Sequence, residues 1–214
     1  RGVFAYCRNL DSINVKEENQ FYKSVNGDLY SKDGATLVQY SPGKPQVSFV
    51  IPDYVINIAD FAFSSASHLR SITVGKNVSD IAEYAFADVY PRGILLEIVN
   101  NSSLDIRAGS EDNGYIAIDA LDVHSGESKL IYQGDYVFYP KDDNVYLVGY
   151  NGAETDLVLP AYYNGNSYKL YSYVFYADNL TSVTIPASVT EIENYAFDNC
   201  KGLTEFIFMG DASV

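Results

Sequence analysis

Two cysteines, Cys7 and Cys200, and two histidines, His68 and His124, are the residues of this chain best suited to nucleophilic or metal chemistry. Their placement serves neither. A catalytic thiolate needs an imidazole within hydrogen-bonding reach. His68 sits three residues ahead of Ser71 in a turn, and His124 lies in a polar stretch, neither close in sequence to a cysteine. Both are expected as surface or turn histidines. The adjacent carboxylates Asp142-Asp143 stand in PKDDN (Pro140–Asn144), a composition that makes turns before it makes acid–base pairs. Ser110-Glu111-Asp112-Asn113-Gly114 has the residue types of a calcium loop without the remaining twelve-residue ligand spacing. Nucleophile elbow, phosphate loop, metalloprotease helix and Cys-x-x-Cys pair are all absent from the sequence. Neither catalysis nor a cofactor or metal is expected.

The charge balance excludes other classes. Acidic residues number 28 against 14 basic ones, a net charge of −14 over 214 residues. Such a surface repels phosphate backbones and anionic lipid, so no nucleic-acid partner is expected. No apolar run approaches the roughly 20 residues of a membrane-spanning helix, so no membrane insertion by this segment is expected. The sequence opens without Met or a signal peptide, the pattern of a segment cut from a longer protein. Twenty tyrosines and eleven phenylalanines without a tryptophan suit half-exposed sheet faces and recognition surfaces alike.

The elements that must position these residues are repeated. LTSVTIPASVTEIENYAFDNC (Leu180–Cys200) and LRSITVGKNVSDIAEYAFADV (Leu69–Val89) align without a gap and share eight identities. The phenylalanine recurs as Phe4, Phe63, Phe86, Phe175 and Phe197. Five residues before it stand Ile58, Ile81, Leu170 and Ile192; eight before it stand Val55, Val78 and Val189. After it come the alternating runs Leu10-x-x-Ile13-x-Val15, Leu69-x-x-Ile72-x-Val74, Leu180-x-x-Val183-x-Ile185 and Leu203-x-x-Phe206-x-Phe208, with Leu96 and Ile98 continuing the Phe86 copy. Alternation of β-branched and aromatic residues predicts a strand. A period of 22–23 residues predicts stacked coils, each offering one apolar face that only its neighbours can bury. The predicted fold is mainly β, a leucine-rich-repeat solenoid with coils of 22–23 residues, interrupted by β-hairpin insertions. Cys7 and Cys200 fall at equivalent ladder positions of distant coils. They would be separated along the axis beyond the Cα distance of about 7 Å that a disulfide needs, and are expected as buried structural thiols.

The period breaks twice. Leu29–Ser31, the turn Lys32-Asp33-Gly34-Ala35 and Thr36–Val38 read as one hairpin; Tyr136–Tyr139, PKDDN and Val145–Tyr150 read as another. Each precedes a step, Ile51-Pro52 or Leu159-Pro160, that restarts the coil. The organisation expected is a first repeat lobe over 1–98 with its insertion near 26–50, a distorted coil or joint over 99–134, and a second lobe over 135–214 with its hairpin near 136–150. More coils, or another domain, are expected to flank the segment. Asn-x-Ser/Thr sequons at Asn77, Asn100, Asn101 and Asn179 matter only in a host that glycosylates.

The run Pro186-x-x-Val189-x-x-Ile192-x-x-x-Ala196-Phe197-x-x-Cys200 departs from the common leucine-rich consensus. It resembles the BspA-like (Treponema-type) leucine-rich repeat family of bacterial surface proteins, as do the interruptions Asn26–Lys44 and Gly109–Val123. The resemblance implies a secreted or cell-surface protein with a role in adhesion. Its partner would be a protein ligand, such as host extracellular matrix, a host cell-surface protein or other bacteria. Residues between the inward strand positions are then the candidate contacts: Arg70, Ser71 and Thr73; Thr181, Ser182 and Thr184; Thr204, Glu205 and Ile207. A different class stays open, a carbohydrate-binding module stacking sugars on Tyr162, Tyr163 and Tyr168 of the run AYYNGNSYKLYSYVFY (Ala161–Tyr176). A passive spacer holding another domain is a third.

Overall fold

The computed structural model describes residues 2–4, 7–86, 96–108, 115–117, 122–176 and 179–210. It divides into two units, residues 1–128 and 129–214. Among the described residues there are strands and turns but no helix. The first unit contains β1 (Tyr22–Val25), β2 (Asp28–Ser31), β3 (Thr36–Gln39), β4 (Ser48–Val50), β5 (Asn57–Ile58), β6 (Ser71–Val74), β7 (Asp80–Ile81), β8 (Glu97–Asn100), β9 (Ile106–Ala108), β10 (Tyr115–Ala117) and β11 (Asp122–His124). The second contains β12 (Ile131–Gln133), β13 (Tyr136–Lys141), β14 (Asn144–Tyr150), β15 (Asp156–Val158), β16 (Tyr168–Leu170), β17 (Ser182–Ile185), β18 (Val189–Ile192) and β19 (Glu205–Phe208).

Both units follow one plan. An antiparallel three-stranded meander starts one sheet and parallel coil strands extend it, in the order β1-β2-β3-β5-β7 and again β12-β13-β14-β16-β18. The remaining coil strands form a second, parallel sheet, β4-β6-β8-β11 in the first unit and β15-β17-β19 in the second. In the first unit β9 and β10 form a separate parallel pair. The regular coils give one strand to each of their unit's two main sheets, as β5 and β6, β7 and β8, β16 and β17, and β18 and β19 do, and the core lies between the sheets. Val55, Ile58, Phe63, Ile72, Val78, Ile81 and Phe86 are buried in the first unit. Phe138, Leu147, Leu157, Leu170, Phe175, Val183 and Val189 are buried in the second.

The repeated phenylalanines stack as the period requires. Phe63 lies on Phe86 with centroids 5.4 Å apart and planes 7° from parallel, and Phe175 lies on Phe197 at 5.0 Å and 14°. Parallel rings spaced by one coil seal the ladder against water, which is where most of its stabilisation arises. The tight turns ahead of Phe63, Phe175 and Phe197 place a residue in the left-handed region. Phe61, Tyr173 and Tyr195 take it, with φ of 59°, 57° and 62°. That conformation is unfavourable for an aromatic residue. Stacking offsets the strain: Phe61 on Tyr84 at 5.6 Å and 8°, Tyr173 on Tyr195 at 5.3 Å and 7°.

The hairpins form where the turn residues predict them. β2 pairs antiparallel with β3 across Lys32–Ala35, where Asp33 Oδ1 accepts from the Ala35 amide and the Ser31 hydroxyl. β13 and β14 run further than expected, leaving Asp142-Asp143 as the whole loop, with Asp142 at φ 53°. A third hairpin, β1–β2, turns on Asn26-Gly27 at φ 50° and 83°, the two left-handed positions that this dipeptide favours.

The first repeat copy is less regular than its sequence suggests. Leu10, Ile13 and Val15 are half-buried but form no strand. The Ile13 amide donates instead to Gly27 O at 2.7 Å and the Val15 amide to Ser24 Oγ at 2.7 Å, so hairpin β1–β2 takes the bonds that a coil neighbour would. The segment also presses on Gly43, where a Cβ would meet Arg8 O and Leu10 N at 2.7 Å. Cys7 is exposed in this irregular stretch, contrary to the buried thiol expected there. Cys200 is half-buried and donates its thiol to Phe175 O at 2.8 Å.

Candidate functional site

In a parallel ladder, residues paired in register stand side by side on the same face of the sheet. On β15-β17-β19 the register brings Asp156, Ser182 and Glu205 into one row and Val158, Thr184 and Ile207 into the next. Leu157 and Val183, between these rows, face the core. The outer face is open: Val158 is 67 % exposed, Ile207 40 %, and Glu205 is exposed too. Thr181 and Thr204, one residue ahead of β17 and β19, extend the polar row at the solvent edge. Six candidate residues, Thr181, Ser182, Thr184, Thr204, Glu205 and Ile207, therefore share one continuous surface.

Asp156, which is not among the candidate residues, organises that surface. Its Oδ1 accepts from Thr181 Oγ1 at 2.6 Å and Ser182 Oγ at 2.9 Å. Those two hydrogen bonds, Thr181 first, hold its carboxyl below the usual range. Thr204 Oγ1 donates to Thr181 O at 3.2 Å, linking the next coil. The signal that would have found Asp156 is its alternation with Leu157 and Leu159 ahead of Pro160, a shortened copy of the strand motif.

The first unit repeats the chemistry with a different outcome. Register places Ser48, Ser71, Glu97 and Asp122 in one row and Val50, Thr73, Val99 and His124 in the next. Arg70 and Ser71, expected to point outward into solvent, are buried, and Thr73 is half-buried. The Arg70 guanidinium turns back to donate to Ser67 O at 2.9 Å and Leu69 O at 3.3 Å. Ser71 stands beside Glu97, which is itself enclosed. His124 Nε2 lies 2.7 Å from Glu97 Oε2, and the Ser128 hydroxyl donates to Oε1. His124, on the edge strand β11, and Ser128, just beyond it, both close on the Glu97 carboxylate. His124 is thus half-buried against a carboxylate rather than a surface histidine. His68 is also half-buried; desolvation, with a smaller contribution from Arg70, pushes its pKa down to about 4.

The tyrosine run does not form an open platform. Tyr168 is 1 % exposed, its hydroxyl donating to Pro160 O at 2.7 Å and its ring edge-on to Phe138. Tyr163 is half-buried with its ring 4.7 Å from that of Phe138. Only Tyr162, 56 % exposed, faces water among the three. The alternation along β16 that buries Leu170 buries Tyr168 as well, which corrects the expectation that Tyr163 and Tyr168 are surface residues. The loop Ser110–Gly114, weighed as a calcium site, lies outside the described residues. Among the described residues no group of three or more His, Cys, Asp or Glu is placed to hold a metal. Nor is any helix there long and apolar enough to cross a membrane.

Comparison with known proteins agrees with the repeat. The BspA type leucine rich repeat region matches in six copies over residues 43–104 and 168–213, just over half of the chain. The chain belongs to that family. No curated protein sequence matches. A solved leucine-rich repeat protein from Eubacterium ventriosum is 19 % identical over 96 % of this chain and 44 % of that one, with a TM-score of 0.45. A leucine rich cell surface protein from Faecalibacterium prausnitzii is 18 % identical over 97 % and 44 %, with a TM-score of 0.37. The pneumococcal vaccine antigen PcpA is 19 % identical over 95 % and 50 %, with a TM-score of 0.40. The chain spans half or less of the length of these three proteins.

Proposed function

We propose that this chain is a non-enzymatic, protein-binding segment of a secreted or cell-surface bacterial adhesin. Membership of the BspA type repeat family supports a binding scaffold. The observation that carries the assignment of the site is the open outer face of β15-β17-β19. There a hydroxyl and carboxylate row and a β-branched row run side by side across three coils. Parallel rows on a stiff support present many weak contacts at once, which suits an extended protein surface. Val158, Thr184 and Ile207 supply the apolar centre, with Ser182, Thr204 and Glu205 as the polar rim.

A screen of the purified segment in physiological salt, against immobilised extracellular-matrix proteins and a glycan array together, tests the reading. Saturable binding to a protein and silence on the array is the expected result. Binding to glycans alone would overturn it.

A further inference from the structure

A cavity of about 730 Å³ opens on the first unit, on the outer face of its meander sheet. Leu37, Ile58 and Ile81, of β3, β5 and β7, are buried in the core. Val38, Ala59 and Ala82, each one residue further on, alternate to the other face and floor the cavity. Phe4, Ile13 and Val15, from the irregular first repeat copy, add to an apolar lining. Thr36 and Asn57 bring a hydroxyl and a carboxamide to it. A few polar groups in a mostly apolar wall, at this volume, make a small-ligand or side-chain pocket.

The second unit shows what the same place holds when it is filled. Leu37 pairs with Ile58 and Ile58 with Ile81, as Leu147 pairs with Leu170 and Leu170 with Ile192. Val38 and Val148 are the unpaired residues of equivalent bulges. The Tyr171 amide donates to Leu147 O as the Ala59 amide does to Leu37 O, and the Glu193 amide to Leu170 O as the Ala82 amide does to Ile58 O. Tyr146, Tyr171 and Glu193 thus stand where the first unit has Thr36, Ala59 and Ala82. The Tyr146 and Tyr171 rings meet edge to face at 5.6 Å. Val148 is fully buried where Val38 is half-buried. One unit covers its bulge with two tyrosine rings. The other has a threonine and an alanine in their place, and a cavity.

We infer that the first-unit cavity is a binding site for the neutral side chain of a tyrosine, carried by an exposed segment of a partner protein. Its ring would take the volume that Tyr146 and Tyr171 occupy in the second unit, against Val38, Ala59 and Ala82. Its hydroxyl would lie toward Thr36 and Asn57, which stand side by side in the register. A tyrosine carries a large apolar area on few rotatable bonds, so little freedom is lost when it enters. Asp60 and Asp80 also reach the lining, and each has an interaction of its own within the chain; a neutral ligand calls on neither. The site is on a different unit and a different sheet from the β15-β17-β19 surface, so either stands if the other fails.

The test is a titration of isotopically labelled protein, followed by backbone-amide NMR, with the blocked peptide Gly-Gly-Tyr-Gly-Gly. Two control peptides carry Ala or Lys in place of Tyr. Saturable shifts at Val38, Asn57, Ala59 and Ala82 are expected, with affinity at least tenfold weaker for each control. The affinity should be the same at low and at high salt, because no ion pair forms. Ala59→Tyr, which installs the second unit's own residue, should abolish the shifts while keeping a cooperative melt. Ala82→Leu narrows the same space, should weaken the tyrosine peptide at least tenfold, and serves if Ala59→Tyr does not fold. No saturable shift at millimolar peptide, equal binding of the Ala or Lys peptide, loss of binding at high salt, or unchanged binding by a folded variant would each overturn the inference.

Discussion

Replacing Phe175 by alanine tests the ladder that holds the second unit together. The side chain is fully buried, with its ring 5.0 Å from Phe197 on one side and 6.4 Å from Tyr150 on the other. Truncating such a ring removes its transfer free energy and leaves a cavity that the stacked coils cannot close, a cost of about 3–5 kcal/mol. Phe197 sits in the same ladder but is half-buried, and its other aromatic neighbour is Phe206, which is exposed in part. Phe197→Ala should therefore cost less, about 1.5–3 kcal/mol. Urea unfolding at constant temperature, followed by circular dichroism and by tyrosine fluorescence, measures both; the chain has twenty tyrosines and no tryptophan. Because the chain has two units, the two probes must give coincident transitions before a single free energy is assigned. A loss below about 1 kcal/mol at Phe175 would show that the ring is not sealed in a ladder. Equal losses at the two positions would show that burial is not what sets the cost.

Other predictions follow from charges inside the first unit. His68 has a folded pKa of about 4, below its unfolded value, so the unfolded chain takes up the proton first as pH falls. Stability from this residue is complete near neutrality and is lost between about pH 6.5 and 4, amounting to at most about 3 kcal/mol. Urea midpoints at pH 7 and pH 4.5 measure it, and His68→Gln should flatten the difference. Asp28 is buried, its pKa raised by desolvation despite Lys44 Nζ at 2.7 Å and the Ser41 amide at 2.8 Å. Lys44→Met strands that carboxylate and should cost about 3–5 kcal/mol, while Asp28→Asn in the same background should restore a large part of it. A double-mutant cycle by urea unfolding reads this directly, and additive losses would contradict the pairing.

The fold was legible because its signals are local and repeated. Ile58, Ile81 and Ile192, with Phe63, Phe86 and Phe175, recur at one period because each occupies the same place in a stacked coil. The hairpin turns were legible in Asp33-Gly34 and Asp142-Asp143 for the same reason: turn chemistry is carried by adjacent residues. The hairpin β1–β2 carries an equally local signal in Asn26-Gly27, but its outer strand Tyr22–Val25 is mostly polar and lacks an alternating apolar pattern. Exposure was the harder property. Ser71 and Ser182 hold the same repeat position, yet one is enclosed and the other half-open. Ser71 stands beside Glu97, whose carboxylate is held by His124 and Ser128, more than fifty residues downstream of Ser71, and no periodicity in β6 encodes that neighbourhood. Tyr168 was misjudged because a tyrosine reads as a surface residue until its strand phase is known. Asp156 was missed because β15 carries only the end of the motif.

The measurement that tests the account most directly compares the wild-type segment with the double variant Thr184→Arg/Ile207→Arg for binding to whichever immobilised matrix protein the screen selects. Both substitutions lie on the outer row of β17 and β19 and leave the core untouched, so the melt should be preserved. At least a tenfold loss of affinity with an unchanged Tm is expected, and no change for Tyr162→Ala. Wild-type affinity in the double variant would contradict it and move the contact to another face.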